Sequence, residues 1–300
     1  MRNSNLDKIK SNLIKILKSN EVMLVLKDNA YGFGIENIIP IAKKLGISFF
    51  AVKCIEEGKI IRKLYPESEI LILGKCREYF KLKKYNLIGS INDYDDYVNF
   101  KENGINMHLE IDLGMNRFGV KSGYLPIIND KDVTYIYTHI YSEKDRKIII
   151  SEIESLAKRY NKKLHIGGSL AYGYTNNMLR IGRMVYDGSI SFTGNIINIK
   201  RVYKGESVGY DSSYYANEDI LVGVCDVGYS NGLNLFYGGR VFINGYYYKV
   251  IGKCCMDCCF ILIDDRVNLG DEVEFFGNKI HIDDFCLENK MSKYEAFFVL

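Results

Sequence analysis

A few lysine, arginine, histidine and tyrosine side chains in this chain are placed where they could do amine and proton-transfer chemistry. Foremost is Lys27, which follows the apolar, β-branched run Val22–Leu26, the pattern of a buried parallel strand. After it, Asn29-Ala30-Tyr31-Gly32 turns the chain into a helix. A lysine where a buried strand emerges is partly desolvated, which lowers its pKa and frees an amine for Schiff-base chemistry. A lone strand-end lysine is more often merely solvated, so the reading depends on its company. Among four histidines, His139 and His165 stand at or near strand ends, although either alone would more often be a satisfied core histidine. The turn Gly167-Gly168-Ser169 would let backbone N–H groups approach a phosphate. Arg117 and Arg180 offer planar, permanently charged forks for anionic oxygens.

The run Cys-Cys-Met-Asp-Cys-Cys at 254–259 invites a metal reading, which we reject. On a strand, Cys255 and Cys258 face opposite sides, and no second Cys or His pair completes a tetrahedral site. The expected metal content is none.

The elements that must position these residues read as follows. Residues 4–19 carry apolar side chains at helical spacing. Strands are predicted at Val22–Lys27, Phe49–Lys53, Ile70–Leu73, Leu87–Ile91, Met107–Asp112, Tyr135–His139 and Leu164–Gly168, with a last one near Arg183–Tyr186. Helices fall between most of them, at Ile35–Leu45, Glu56–Leu64, Asp93–Asn103 and Lys144–Tyr160. The unit after Arg117 is weakly marked. This alternation predicts an α/β fold, a (β/α)8 TIM-type barrel over residues 1–188, with an open doubly wound sheet as the alternative. Lys27, Asp112, His139 and Ser169 then all lie at C-terminal strand ends, where barrel chemistry gathers. From 189 to 300 helical periodicity gives way to short strands and Gly/Asn turns, predicting a smaller all-β domain. Within it Asn244-Gly245 is a hairpin signal.

Composition narrows the class. The chain has 300 residues, 47% of them hydrophobic, with 40 basic against 37 acidic side chains. Neither a basic block for nucleic acid nor a run of about 18 apolar residues for a membrane is present. The first twenty residues alternate charge with Leu and Ile as a helix does, unlike a signal peptide. We therefore expect a cytoplasmic protein whose eight cysteines are reduced.

The string VLKDNAYGFG around Lys27 resembles the pyridoxal-phosphate lysine motif of the alanine racemase family, with Phe33 where histidine is usual. Further motifs follow in the family's order. Met107–Val120 resembles the stretch carrying the arginine, here Arg117, that binds the cofactor's phenolic oxygen and the substrate carboxylate. Seven residues earlier, where many members carry a carbamylated lysine, stands Glu110, expected to hold Arg117 with its own carboxylate. The resemblance implies that His139 packs on the pyridine ring and that Ser169 binds phosphate. It implies that Arg180 faces the pyridine nitrogen and disfavours its protonation. Tyr229, in Gly-Tyr-Ser-Asn-Gly, matches the second catalytic base, acting across a homodimer interface, with His165 bridging it to Arg180. Ile251–Asp257 resembles the motif in which the backbone N–H of Met256 grips the substrate carboxylate, with Asp257 in support.

Measured against the family, both ends are short: an N-terminal strand that joins the β domain, and a segment beyond Tyr294–Leu300, are expected to be missing. Phosphate would then rest on Tyr31, Ser169, Gly182 and Arg183. The resemblance implies a pyridoxal-phosphate amino-acid racemase supplying D-alanine for the cell wall, alanine being the leading substrate. A serine or broad-specificity racemase, and a cofactor-binding relative with impaired turnover, stand as alternatives. A related barrel decarboxylase would need an acidic partner for the pyridine nitrogen, and Arg180 argues against it.

Overall fold

The computed structural model describes residues 2–121, 127–292 and 295–297. Residues 122–126, in the weakly marked unit after Arg117, lie outside the described residues, as does most of Tyr294–Leu300. The chain divides into two compact units, Leu6–Asp187 and a second made of Met1–Asn5 with Gly188–Leu300. The expectation that no N-terminal strand joins the β domain is corrected. Strand β1 (Arg2–Ser4) pairs antiparallel with Ile190–Phe192, so the first residues go with the second unit.

The first unit is an eight-stranded parallel barrel built from β2 (Val22–Val25), β3 (Phe49–Val52), β4 (Glu69–Ile72), β5 (Gly89–Ile91), β6 (Met107–Glu110), β7 (Val133–His139), β8 (Lys163–Gly167) and β9 (Met178–Ile181). Neighbours run β4-β3-β2-β9-β8-β7-β6-β5, and the parallel bridge Leu71↔Ile88 closes the ring. The eighth strand is not Arg183–Tyr186, which is a 3-10 turn. It is the buried run Met178–Ile181, whose apolar pattern is broken in sequence by Arg180 and whose end is set by Gly182. Helices Leu6–Leu17, Ile35–Lys44, Ile55–Leu64, Tyr94–Asn103 and Arg146–Arg159 turn apolar stripes inward. A short helix, Tyr79–Lys84, had no clear periodic signal.

Strand periodicity decides what fills the barrel. Side chains alternate in and out, so His108 and Glu110, Tyr135 and Tyr137, His165, and Arg180 are carried inward beside Met23, Val25, Phe49 and Ala51. Register pairs His108 with Tyr135, Glu110 with Tyr137, and Tyr137 with His165. A barrel interior holding this many polar groups is costly unless each is partnered.

The second unit is a seven-stranded, largely antiparallel sheet centred on the long strand Ile190–Val202. The hairpin at Asn244-Gly245 is present, both residues with positive φ, as a tight two-residue turn requires. One helix, Ile282–Glu288, also packs here. Among the described residues no helix is long and apolar enough to cross a membrane.

Candidate active site

Lys27 sits two residues past the end of β2 and starts a turn with an uncommon backbone. Asp28, Asn29, Ala30 and Tyr31 all have φ between 53° and 55°, one turn of left-handed helix. Each such residue costs roughly 1–2 kcal/mol, least for Asn and Asp, so the turn must be held from outside. Asn29 does much of this. Its backbone N–H donates to Glu57 Oε1 at 3.1 Å, and its Oδ1 accepts from the N–H of Ile35 at 3.0 Å, at the start of the next helix. Asp28 pairs with Lys53. Phe33, in place of the usual histidine, is buried and stacks on Tyr186 at 4.7 Å, and Tyr186 in turn meets Tyr31 at 5.0 Å. The substitution thus braces Tyr31 by packing.

The ammonium of Lys27 makes no hydrogen bond or ion pair among the described residues. Burial is the main influence lowering its pKa; Asp28 opposes this, while Arg117, Lys53 and Arg180 add to it. His139, the last residue of β7, is likewise without a hydrogen-bond partner among them. Its pKa is pushed down to about 3 by burial first, then by Arg180, Arg117 and Lys27. These mutual influences gather Lys27, Arg117, His139 and Arg180 at one end of the barrel. A small cavity there is lined by Glu110, Asp112, Met115, Arg117, Thr138 and His139, among others. Arg117 has no carboxylate within 4 Å among the described residues, and its guanidinium lies 5.8 Å from the Phe118 ring centre.

That last point corrects one expectation. The Glu110 carboxylate is engaged by the Tyr137 hydroxyl, which donates to it at 2.9 Å and also bonds Ser90 Oγ. Glu110 therefore serves the barrel interior and forms no salt bridge to Arg117. Its buried charge lies near Arg180, whose guanidinium stands 4.3 Å from the Tyr137 ring centre.

A second correction concerns His165. It is fully buried, with Nδ1 3.0 Å from Arg180 Nη1 and Nε2 3.1 Å from His108 Nδ1. Both nitrogens are taken, so His165 has none left to bridge a tyrosine. Arg180 is completed by the Thr138 carbonyl at 3.4 Å. His108, Tyr137 and Ser90 were not singled out in the sequence, although the alternation His108–Glu110 and Tyr135–Tyr137–His139 could have flagged an inward polar row.

The residues expected to hold phosphate cluster as well. Tyr31 Oη accepts from the backbone N–H of Arg183, and burial raises the Tyr31 pKa to about 12. A Cβ at Gly182 would lie 2.1 Å from Tyr31 Oη, so only glycine admits the ring here. Gly168, at φ +114°, brings the chain against the Ile140 carbonyl and leads into Ser169, whose hydroxyl has no partner among the described residues. Hydroxyls and an N–H around a glycine suit a phosphate, and the bare cations suit a second anionic group. Pyridoxal phosphate fits this donor set.

In the second unit, Tyr229 and Met256 belong to two turns that lock together. The N–H of Tyr229 donates to the Cys255 carbonyl at 3.0 Å. Ser230 donates twice to the Met256 carbonyl, from its N–H at 2.9 Å and its Oγ at 2.6 Å. The N–H of Met256 has no acceptor among the described residues, and the Met256 and Tyr229 side chains are exposed. Asp257 is exposed and hydrogen-bonds the Cys258 thiol. The sequence argument against a metal placed Cys255 and Cys258 on opposite faces of a strand. They instead lie in a turn, where the N–H of Cys255 donates to the Cys258 carbonyl at 2.8 Å and the Cys255 thiol helps raise the pKa of Cys258.

A closed parallel barrel with a desolvated lysine after its first strand and unpaired cations at the same end, followed by an antiparallel β unit, defines a class of barrel enzyme scaffold. The sequence model for the alanine racemase N-terminal domain matches residues 4–189, and that for the C-terminal domain matches 189–300. The chain belongs to the alanine racemase family. It is 29% identical over 318 residues to an alanine racemase of Helicobacter acinonychis, covering 88% of this chain and 84% of the relative. The fold matches that of alanine racemase from Acinetobacter baumannii with a TM-score of 0.88 at 20% identity, covering 100% and 96% of the two chains. It also matches alanine racemase from Bartonella henselae, solved with covalently bound pyridoxal phosphate, with a TM-score of 0.87 at 18% identity and coverage of 99% and 96%.

Proposed function

We propose that this chain is a pyridoxal-phosphate-dependent racemase of a small amino acid, alanine first, working as a homodimer in the cytoplasm to supply D-alanine for the cell wall. One observation carries the reading. Lys27, Arg117, His139 and Ser169 are polar side chains without hydrogen-bond or ion-pair partners among the described residues, and the first three influence one another's charge at a single barrel end. Unpartnered polar groups of this kind are unusual unless a ligand completes them.

Bound pyridoxal phosphate supplies the electron sink that acidifies the substrate's α-carbon. Tyr31, Ser169, Gly182 and Arg183 would hold its phosphate. The Lys27 amine, its pKa lowered chiefly by burial, exchanges the α-proton on one face. Arg117 donates to anionic oxygens. Arg180, a cation with no site to accept a proton, would disfavour a proton on a ring nitrogen set against it. His165 and His108 fix the plane of that guanidinium. Tyr229 of a second copy serves the opposite face, with the N–H of its Met256 on the substrate carboxylate. His139, whose ring has no hydrogen-bond partner among the described residues, takes over from His165 as the imidazole available to the tyrosine hydroxyl.

The test is proton NMR in D2O with cofactor, protein and L-alanine or L-serine. Loss of the alanine α-proton signal with formation of D-alanine is expected, abolished in Lys27→Ala. In Tyr229→Phe, exchange without inversion is expected. Full activity in Lys27→Ala would end the proposal, and a preference for serine would move the substrate assignment.

A further inference from the structure

We propose that Cys255 and Cys258 form a reversible thiol–disulfide couple that sets the geometry of the turn holding Tyr229, so that oxidation lowers turnover. The effect on turnover rests on the roles given above to Tyr229 and Met256; the couple itself does not.

The four residues Cys255-Met256-Asp257-Cys258 make a tight turn in which the N–H of Cys255 donates to the carbonyl of Cys258 at 2.8 Å. Residues i and i+3 of such a turn have Cα atoms less than about 7 Å apart, a range that overlaps the ~4.4–6.8 Å that a disulfide spans. The Cys255 thiol stands near enough to Cys258 to raise its pKa, and both residues are partly accessible to solvent. The other close thiol pair, Cys225 and Cys259 on adjacent strands, is fully buried, out of reach of a dissolved reagent. Accessibility therefore selects one pair.

What the turn holds makes the couple consequential. Its first two carbonyls accept the N–H groups of Tyr229 and Ser230. A Cβ at Gly228 would lie 2.4 Å from the Cys255 carbonyl oxygen, 2.5 Å from that of Met256 and 2.6 Å from the Cys258 nitrogen. The two turns are packed backbone to backbone, and the Ser230 hydroxyl that donates to the Met256 carbonyl adds a further tie. Drawing the sulfurs from non-bonded separation to the ~2.05 Å of a disulfide reshapes the Met256–Asp257 link, and the Tyr229 backbone must follow.

The chemistry balances with a low-molecular-weight disulfide as oxidant. Cys255 gives its proton to solvent and its sulfur attacks the reagent, forming a mixed disulfide and releasing one thiolate. Burial and the neighbouring Cys255 push the Cys258 thiol up to about 12, which makes it the poorer first nucleophile. It acts second, attacking the Cys255 sulfur, losing its proton and releasing the other thiolate. Two electrons pass to the reagent, which leaves as two thiols.

The experiment equilibrates the cofactor-loaded protein with oxidised and reduced glutathione at graded ratios. Disulfides are mapped by peptide mass, turnover is measured, and hydrogen exchange of the Tyr229 and Ser230 amides is followed. Expected are a 255–258 disulfide, changed exchange at both amides, and a loss of turnover on the order of tenfold or more, all reversed by reductant. Cys258→Ser should stay active and indifferent to the ratio. Absence of that disulfide at the oxidising limit, or its formation with unchanged amides, overturns the couple. Changed amides with unchanged turnover overturns the control of activity. A protein inactive even when reduced counts against the racemase reading, and the mapping and exchange still decide the couple.

Discussion

The Nη1 of Arg180 lies 3.0 Å from Nδ1 of His165, and this contact fixes the protons of a buried chain. A guanidinium only donates, so Nδ1 of His165 is an acceptor and its proton is on Nε2. That nitrogen, 3.1 Å from Nδ1 of His108, therefore donates to it, placing the His108 proton on Nε2 as well. Both imidazoles are neutral, and a proton added to either would break a bond and sit near Arg180.

Stability should therefore depend on these histidines in acid. Burial first, and Arg180 second, hold His108 down to about 3 and His165 well below its ordinary value. In the unfolded chain both titrate near 6.5. Between these limits the unfolded state binds more protons, so unfolding free energy falls as pH drops from about 6.5 towards 3, by up to about 1.4 kcal/mol per pH unit for each imidazole. Urea unfolding from pH 7 to 4 checks this. His108→Gln should show a slope shallower by one histidine, and an unchanged slope would sink the assignment.

Asp28 should tune Lys27. Its carboxylate raises the Lys27 pKa against the lowering by burial. Asparagine keeps the shape, tolerates the left-handed backbone and removes the charge. In Asp28→Asn more Lys27 is neutral at a given pH, so the pH profile for uptake of pyridoxal phosphate, followed by absorbance, should move to lower pH. A profile that stays in place would mean that Asp28 acts only through Lys53.

Much of this was legible in the sequence because strand-end placement follows from hydrophobic runs, and the one before Lys27, Val22–Leu26, is uninterrupted. The eighth strand was misplaced because Arg180, a buried charged residue within it, spoils the apolar pattern that would mark it. The partner of Glu110 and the second partner of His165 were misjudged for a related reason, while the contact of His165 with Arg180 is present. Spacing along one strand puts side chains on a face, but register between strands decides which of them touch. Only the pairing of Glu110 with Tyr137, and of Tyr137 with His165, shows that the carboxylate and imidazole are spent inside the barrel. The cysteine turn failed differently: a strand was assumed through 254–258, and the chain reverses there.

The left-handed turn gives a prediction in which glycine and alanine differ. Asn29→Ala loses the acceptor for the Ile35 N–H and also places a Cβ-bearing residue with no local hydrogen bond in left-handed backbone. A lost cap costs about 1 kcal/mol and the backbone a comparable amount, so a loss of about 1–3 kcal/mol is expected in urea unfolding. Asn29→Gly loses the cap alone and should be the milder change. The reverse order would mean that the turn is not strained in the folded protein.

Gly182→Ala should damage the phosphate cradle while leaving the barrel folded. The glycine has a negative φ of −133°, so the difficulty is space: the new Cβ would lie 2.1 Å from the hydroxyl oxygen of Tyr31 and 2.6 Å from Cζ. Tyr31 cannot yield easily, since its ring packs against Tyr186, which is itself stacked on Phe33. The ring must swing, taking its hydroxyl away from the Arg183 N–H. Tyr31→Phe removes the hydroxyl without crowding and sets the cost of one lost hydrogen bond to phosphate, about 1.5–3 kcal/mol for a charged acceptor. Gly182→Ala should weaken pyridoxal phosphate binding by more than Tyr31→Phe does, with a near wild-type circular dichroism spectrum. Equal affinity in Gly182→Ala and the parent protein would show that phosphate is held elsewhere.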